Sequence, residues 1–220
     1  MSDAASAPVR GRHWHDYVGA LVTIAITGLA LWRAPRITMW MLPVYAFDIA
    51  AAVSFLVRGR AVLEEASWHR RAVAYAAGWG LPAFTAAAAT WTPQWLEAAS
   101  PPRLRTLGYV FILGAVAWKL YALWYLRRAF SVEPAARELV TGGPYRFARH
   151  PIYTGHIVST VGMLLMRPAP MLAAWCLVWV ALLWRRSRYE EAVLEAAFPA
   201  YAGYRKRVGA FAPHLEMRLS

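Results

Sequence analysis

Residues Leu107 to Leu126 read LGYVFILGAVAWKLYALWYL. The run carries a single charge, Lys119, and about 20 apolar residues are enough to cross a bilayer as a helix. Five other runs share this character: Tyr17 to Trp32, Ile37 to Val57, Ala72 to Trp91, Ile152 to Met166 and Met171 to Trp184. The first, fifth and sixth runs along the chain are short. The links Arg33-Ala34-Pro35-Arg36 and Arg167-Pro168-Ala169-Pro170 place Pro between neighbouring runs, where it stops one helix and starts the next. The expected fold is all-α. It is a polytopic membrane helical bundle of about six transmembrane helices, in one integral membrane domain over residues 1–220.

Composition agrees. Hydrophobic residues make up 59% and charged residues 16%, against roughly 25% charged in a soluble domain. Twelve Trp suit membrane interfaces. The net charge of +12 is not read as a nucleic-acid signal, because the Arg residues lie in short segments between apolar runs. Four Arg fall in 58–71, five in 127–149, and seven Lys and Arg follow Trp184. With six spans these segments share one side, together with the N-terminus. The positive-inside rule makes that side cytoplasmic, so both termini are expected there, at the inner membrane if the source is bacterial. Arg10 and Arg12 precede a run with no small-x-small site, so that run reads as a retained span and not a signal peptide. Cys176, the single cysteine, reads as a small buried apolar residue and excludes an intrachain disulfide.

From Arg185 to Val208, apolar residues Val193, Leu194, Ala197, Phe198 and Tyr201 recur at helical spacing between charges. This predicts a C-terminal amphipathic cytoplasmic helix on the membrane surface, kinked or restarted at Pro199.

Polar groups gather at the two feet of the last hairpin. Arg149, Tyr153 and His156 are spaced i, i+4, i+7 and share a face, with His150 beside them. Pro151 suits a first helical turn, and Gly155 lets a backbone or a ligand come close. Across the hairpin, Arg186 and Glu190 are i, i+4 and can meet, while Glu191 points to a neighbouring face. Two adjacent carboxylates there could bind a cation or form a solvated face. Asp48 and Lys119 lie midway along their runs at similar depth and are expected to pair or to face a small aqueous cavity, in support of the fold. His13, His15, His69 and His214 read as surface residues, and no metal-ligand spacing appears.

This string of residues resembles the integral membrane methyltransferases that include isoprenylcysteine carboxyl methyltransferase and the phospholipid N-methyltransferases. The matching elements are Gly143-Pro144-Tyr145, Arg149-His150-Pro151-Ile152-Tyr153-Thr154-Gly155, Glu190-Glu191, Phe198, Tyr201, Tyr204 and Arg205-Lys206-Arg207. The resemblance covers about the last 85 residues. It implies a cytosolic S-adenosylmethionine site without a Rossmann fold, in a catalytic cofactor-binding half at 127–220 that follows N-terminal transmembrane helices at 1–126. By the same resemblance Arg137, Glu138, Leu139, Val140, Tyr145, Arg149, His150, Pro151, Ile152, Tyr153, Glu190 and Tyr204 surround the cofactor. Arg186 faces the acceptor, and Glu191 or His150 is the base an amine acceptor would call for. The segment Arg137-Glu138-Leu139-Val140 departs from the family's carboxyl methyltransferases, where it often begins with His.

The implied activity is S-adenosylmethionine-dependent methyl transfer to a lipophilic acceptor, with membrane lipid as surroundings and no nucleic acid or obligate protein partner. A carboxylate acceptor needs no base, whereas an amine or thiol must lose a proton; all three stay open. Two rival readings remain beside it. One is a membrane sterol-type reductase relative using NADPH, against which the paired glutamates argue. The other is a non-catalytic membrane scaffold.

Overall fold

The computed structural model describes residues 14–33, 42–57, 59, 61–91 and 100–213. The expected turn at 34–36, the start of the second run at 37–41, Arg58, Arg60, His13 and His214 lie outside them.

The described chain is helical apart from one short ladder. The helices are α1 (Trp14–Arg33), α2 (Leu42–Val57), α3 (Trp68–Trp91), α4 (Pro102–Leu126), α5 (Pro151–Met166), α6 (Pro170–Ala197) and α7 (Tyr201–Arg207). Each of the six apolar runs falls on one of α1–α6. One described helix, Pro102–Leu126, is long and apolar enough to cross a membrane by length and composition, where six were expected. Tyr17–Leu29, Leu42–Leu56 and Pro151–Met166 are shorter apolar helices. Helix α6 has a different problem. Its apolar part ends at Trp184, and the helix continues through charged residues to Ala197.

Proline sets three of the starts. Pro102, Pro151 and Pro170 each occupy the first turn of α4, α5 and α6, where the missing N–H costs nothing and φ is already helical. The expected surface helix is continuous with α6 up to Ala197, then breaks. Phe198 is extended (φ −130°, ψ 105°), Pro199 follows, and α7 starts at Tyr201.

Helix α4 packs most extensively on α5, α1 lies against α2 and α3, and α3 lies against α6. The α4–α5 seam is set by small residues. A Cβ on Gly108 would stand 2.5 Å from the Gly162 carbonyl oxygen, and one on Gly162 would stand 2.7 Å from that of Gly108. Gly155, read as a place where a backbone or ligand comes close, serves the approach of α4: a Cβ there would run into Lys119 Cγ and stand 3.1 Å from the Ala115 carbonyl. Backbones that approach this closely gain dispersion contacts along the whole seam, the usual basis of helix association in lipid.

The short ladder has no counterpart in the sequence pattern. Leu63–Glu64 (β1) pairs antiparallel with Ala135–Ala136 (β2), Leu63 opposite Ala136. It ties the segment after α2 to the segment after α4 and so closes one end of the bundle. Cys176 is buried as expected. His69 is exposed and rests on Trp68 with ring centroids 3.7 Å apart.

Candidate active site

The loop between α4 and α5 enters through Gly142-Gly143, where Gly143 takes φ +56°, a conformation that suits glycine. It makes a short helical turn over Gly143–Arg146 and delivers Arg149 and His150 to the mouth of α5. The chain after α7 straps across this mouth. The Arg149 N–H donates to the Gly209 carbonyl (2.9 Å), the His150 N–H to that of Ala210 (2.9 Å), and Thr154 Oγ1 to that of Phe211 (2.7 Å).

The two carboxylates at the foot of α6 diverge. Successive helical residues point about 100° apart, and here that separates two environments. Glu190 accepts from Arg186 Nε (2.9 Å) and from the Tyr153 hydroxyl (2.5 Å), and its second oxygen lies 3.6 Å from His150 Nδ1. Glu191 accepts from Arg149 Nε (3.0 Å) and Nη2 (2.8 Å) and lies 3.1 Å from His150 Nε2. Arg149 also donates to the carbonyls of Arg205 (3.1 Å) and Val208. Those four hydrogen bonds occupy all but one of the guanidinium's five N–H groups. Arg205 approaches Glu191 from α7 at 3.8 Å.

His150 sits between the two carboxylates, stacked on Tyr153 at 5.3 Å with nearly parallel rings. Burial favours its neutral form, but the hydrogen bonds to Glu190 and Glu191 win and raise its pKa above the ordinary value. Burial likewise opposes ionisation of Glu190, yet Arg186, then His150 and Tyr153, hold its carboxyl below the usual range. Glu191 is also held low, at about 2: burial is outweighed by the hydrogen bonds from His150 and Arg149. Tyr145, Tyr201 and Tyr204 are pushed above the ordinary phenol value, mainly by burial, so all three stay protonated and can donate. Tyr204 does so to the Tyr145 carbonyl (2.5 Å).

Arg186 reaches across the bundle. It donates to the carbonyls of Ala74 in α3 (3.4 Å) and Ser131 after α4 (3.1 Å), and its guanidinium lies 5.3 Å from the Tyr153 ring centroid. It is 5% exposed and joins three segments around one void.

That void is a cavity of about 170 Å³. At one end it is lined by Glu138, Leu139, Val140, Tyr145, Arg149, His150, Pro151, Ile152, Tyr153, Glu190 and Tyr204, with Arg186 and His156 beside them. The cavity thus brings together every residue expected at the cofactor except Arg137. That side chain turns the other way: it donates to the Gly59 carbonyl and lies 3.9 Å from Glu64. The β1–β2 ladder that starts beside it draws it there. Glu191, expected as a base, is not on the cavity wall; it is 3% exposed and faces Arg149 and α7.

The sequence reading missed Glu133 on this wall and gave Tyr201 no role. Both line the cavity, and Glu133 Oε1 and the Tyr201 hydroxyl are buried without a hydrogen-bond partner among the described residues. Buried polar atoms are rarely left so. An acceptor and a donor therefore remain open on one wall. Among the described residues no group of three or more His, Cys, Asp or Glu is placed to hold a metal ion.

Comparison with known proteins finds similarity over part of the chain. Residues 104–200 match the family model described as phospholipid methyltransferase, and the resemblance read from the motifs is borne out over that stretch. The chain is also similar to the nickel-cobalt-cadmium resistance protein NccN of Alcaligenes xylosoxydans xylosoxydans, with 33% identity over 128 residues, covering 58% of this chain and 56% of that protein. The cobalt-zinc-cadmium resistance protein CzcN of Cupriavidus metallidurans is 30% identical over 132 residues, covering 58% of this chain and 55% of its own. The chain spans about half the length of the curated relatives it matches.

Proposed function

We propose, from the family match over 104–200 and the cavity that segment lines, that the chain is an integral membrane S-adenosylmethionine-dependent methyltransferase acting on a lipophilic acceptor. The observation that carries this reading is one continuous void. Its wall joins the polar residues Tyr145, His150, Tyr153, Arg186 and Glu190 to a mostly apolar lining from the N-terminal helices. A polar cofactor and a lipophilic acceptor need such a mixed site. In this reading all six helices α1–α6 cross the membrane, some with help from tilt or local thinning. Both termini then lie in the cytoplasm. The metal-resistance names of the two relatives state no reaction.

The donor set fits the cofactor. S-adenosylmethionine offers an ammonium and ribose hydroxyls as donors and a carboxylate as acceptor, and it supplies a methyl group already activated on a sulfonium. Glu133 Oε1 and the Tyr201 hydroxyl present the complementary open acceptor and donor. Glu190 adds a carboxylate that stays ionised, and the neutral phenols of Tyr145 and Tyr204 line the wall. The chain's own work is orientation, which can supply several kcal/mol when donor and acceptor are held in line. Glu190 fixes Tyr153 and Arg186, and Arg186 is assigned to the acceptor side. Glu191 we assign to positioning: it locks Arg149 and His150 at the cavity mouth.

Calorimetric titration of the detergent-purified protein with S-adenosylmethionine and, separately, with NADPH tests the reading. Binding of the first alone is expected. Binding of NADPH alone would replace it with a reductase.

A further inference from the structure

The cavity extends past the segment that matches the methyltransferase family. Its other end runs between α1, α2 and α3, where Thr27, Phe47, Asp48, Phe55 and Trp79 line it. All five precede residue 104. Four of them suit a lipid tail or an aromatic ring, and Asp48 does not. It is a carboxylate set among aromatic side chains at mid-helix.

What surrounds Asp48 leaves it half answered. The Thr27 side chain hydrogen-bonds it, and Lys119 acts on it through space. But the Lys119 ammonium is 4.6 Å from the Phe47 ring centroid, and the rest of that side chain packs under Gly155. His156, a further titratable group on the cavity wall between the two ends, stands edge-on to Phe47 at 5.5 Å and to Trp179 at 5.2 Å, and Tyr45, one turn before Asp48 on α2, feels its charge. A carboxylate in an apolar wall is costly unless a partner meets it. The open side of Asp48 is the cavity itself.

The chemistry of a matching ligand follows. A lipophilic molecule with an N–H or cationic head would give Asp48 a charge-assisted hydrogen bond, and the faces of Phe47, Phe55 and Trp79 would attract the same head. A lipophilic carboxylate would meet like charge, which discriminates against it. We propose that Asp48 is a specificity-determining residue of the acceptor subsite, selecting a lipophilic amine over a lipophilic carboxylate. The proposal rests on the methyltransferase reading for the word acceptor, though the binding preference stands by itself.

The test uses the full chain in lipid nanodiscs, with decylamine and decanoate as probes and S-adenosylmethionine titrated separately. Wild-type protein is expected to bind decylamine at least about tenfold more tightly than decanoate. Asp48→Asn is expected to erase that preference and leave S-adenosylmethionine affinity unchanged, while Asp48→Glu retains the preference. If Asp48→Asn does not fold, the wild-type preference and its retention in Asp48→Glu still decide. Equal binding of the two probes by wild type, or a preference that survives Asp48→Asn, overturns the proposal. A preference that depends on Asp48 in a protein that does not bind S-adenosylmethionine leaves the subsite standing and removes the methyltransferase reading.

Discussion

Glu190 and Glu191 are neighbours in sequence and serve two different regions. Glu190 belongs to the cavity, where its partners Arg186, Tyr153 and His150 also line the wall. Glu191 belongs to a clamp, in which Arg149 ties α6 to carbonyls at the end of α7, those of Arg205 and Val208. His150 touches both regions. The difference teaches that a paired-glutamate motif need not mean two ligands or two catalysts. One carboxylate can face the site while the next holds the frame around it.

The sharpest way to break this comparison is to remove the clamp. Arg149 and Glu191 side chains are 8% and 4% exposed, and deleting one member of a buried pair costs about 3–5 kcal/mol. Glu191→Ala is therefore expected to lower the thermal unfolding temperature in detergent sharply. If it left stability intact and abolished turnover alone, Glu191 would move back into the chemistry. Glu190→Ala should show the opposite profile, weakening S-adenosylmethionine on the order of 10–100-fold by calorimetry with a smaller stability change. Unchanged affinity would remove Glu190 from the cofactor.

A milder effect comes from pH. His150 has a folded pKa raised above 6.5, so its contribution to stability is complete below 6.5 and is lost as pH rises through the folded value. Glu191 is depressed from 4.5 to about 2, so its contribution is present above 4.5 and is lost as pH falls towards 2. The clamp is expected to be strongest between those limits. Unfolding temperatures measured across pH should decline on both sides, and His150→Asn should remove the alkaline decline while keeping the acid one. The smallest effect is expected at Tyr201. Its hydroxyl has no hydrogen-bond partner among the described residues, so Tyr201→Phe should change stability by less than about 0.5 kcal/mol. It should still lower cofactor affinity several-fold; no change in affinity would show that the hydroxyl meets no ligand.

Much of the frame was legible in the chain. Apolar runs located six helices, and Pro151 and Pro170 announced two starts because proline acts locally on φ and on the helix hydrogen-bond ladder. The Arg186–Glu190 pair was legible for the same reason, being one helical turn apart. Glu191 was not, since its main partner is 42 residues away across the hairpin. Arg137 was misplaced because a two-residue ladder, too short to leave a pattern of alternation, redirects it to Gly59. Asp48 was seen as a charge out of place. That it lines the same void as Glu190 depends on the packing of α2 against α4, which no local spacing reports.

The glycine contact between α4 and α5 constrains how the molecule can breathe. Carbonyl oxygens there already stand where a methyl group would be, so the two helices cannot slide or twist past one another without colliding. They act as a single rigid beam carrying the mouth of the cavity at one end. Any gap wide enough to admit a fatty ligand sideways must open on the far side, by a swing of the amino-terminal helices away from that beam.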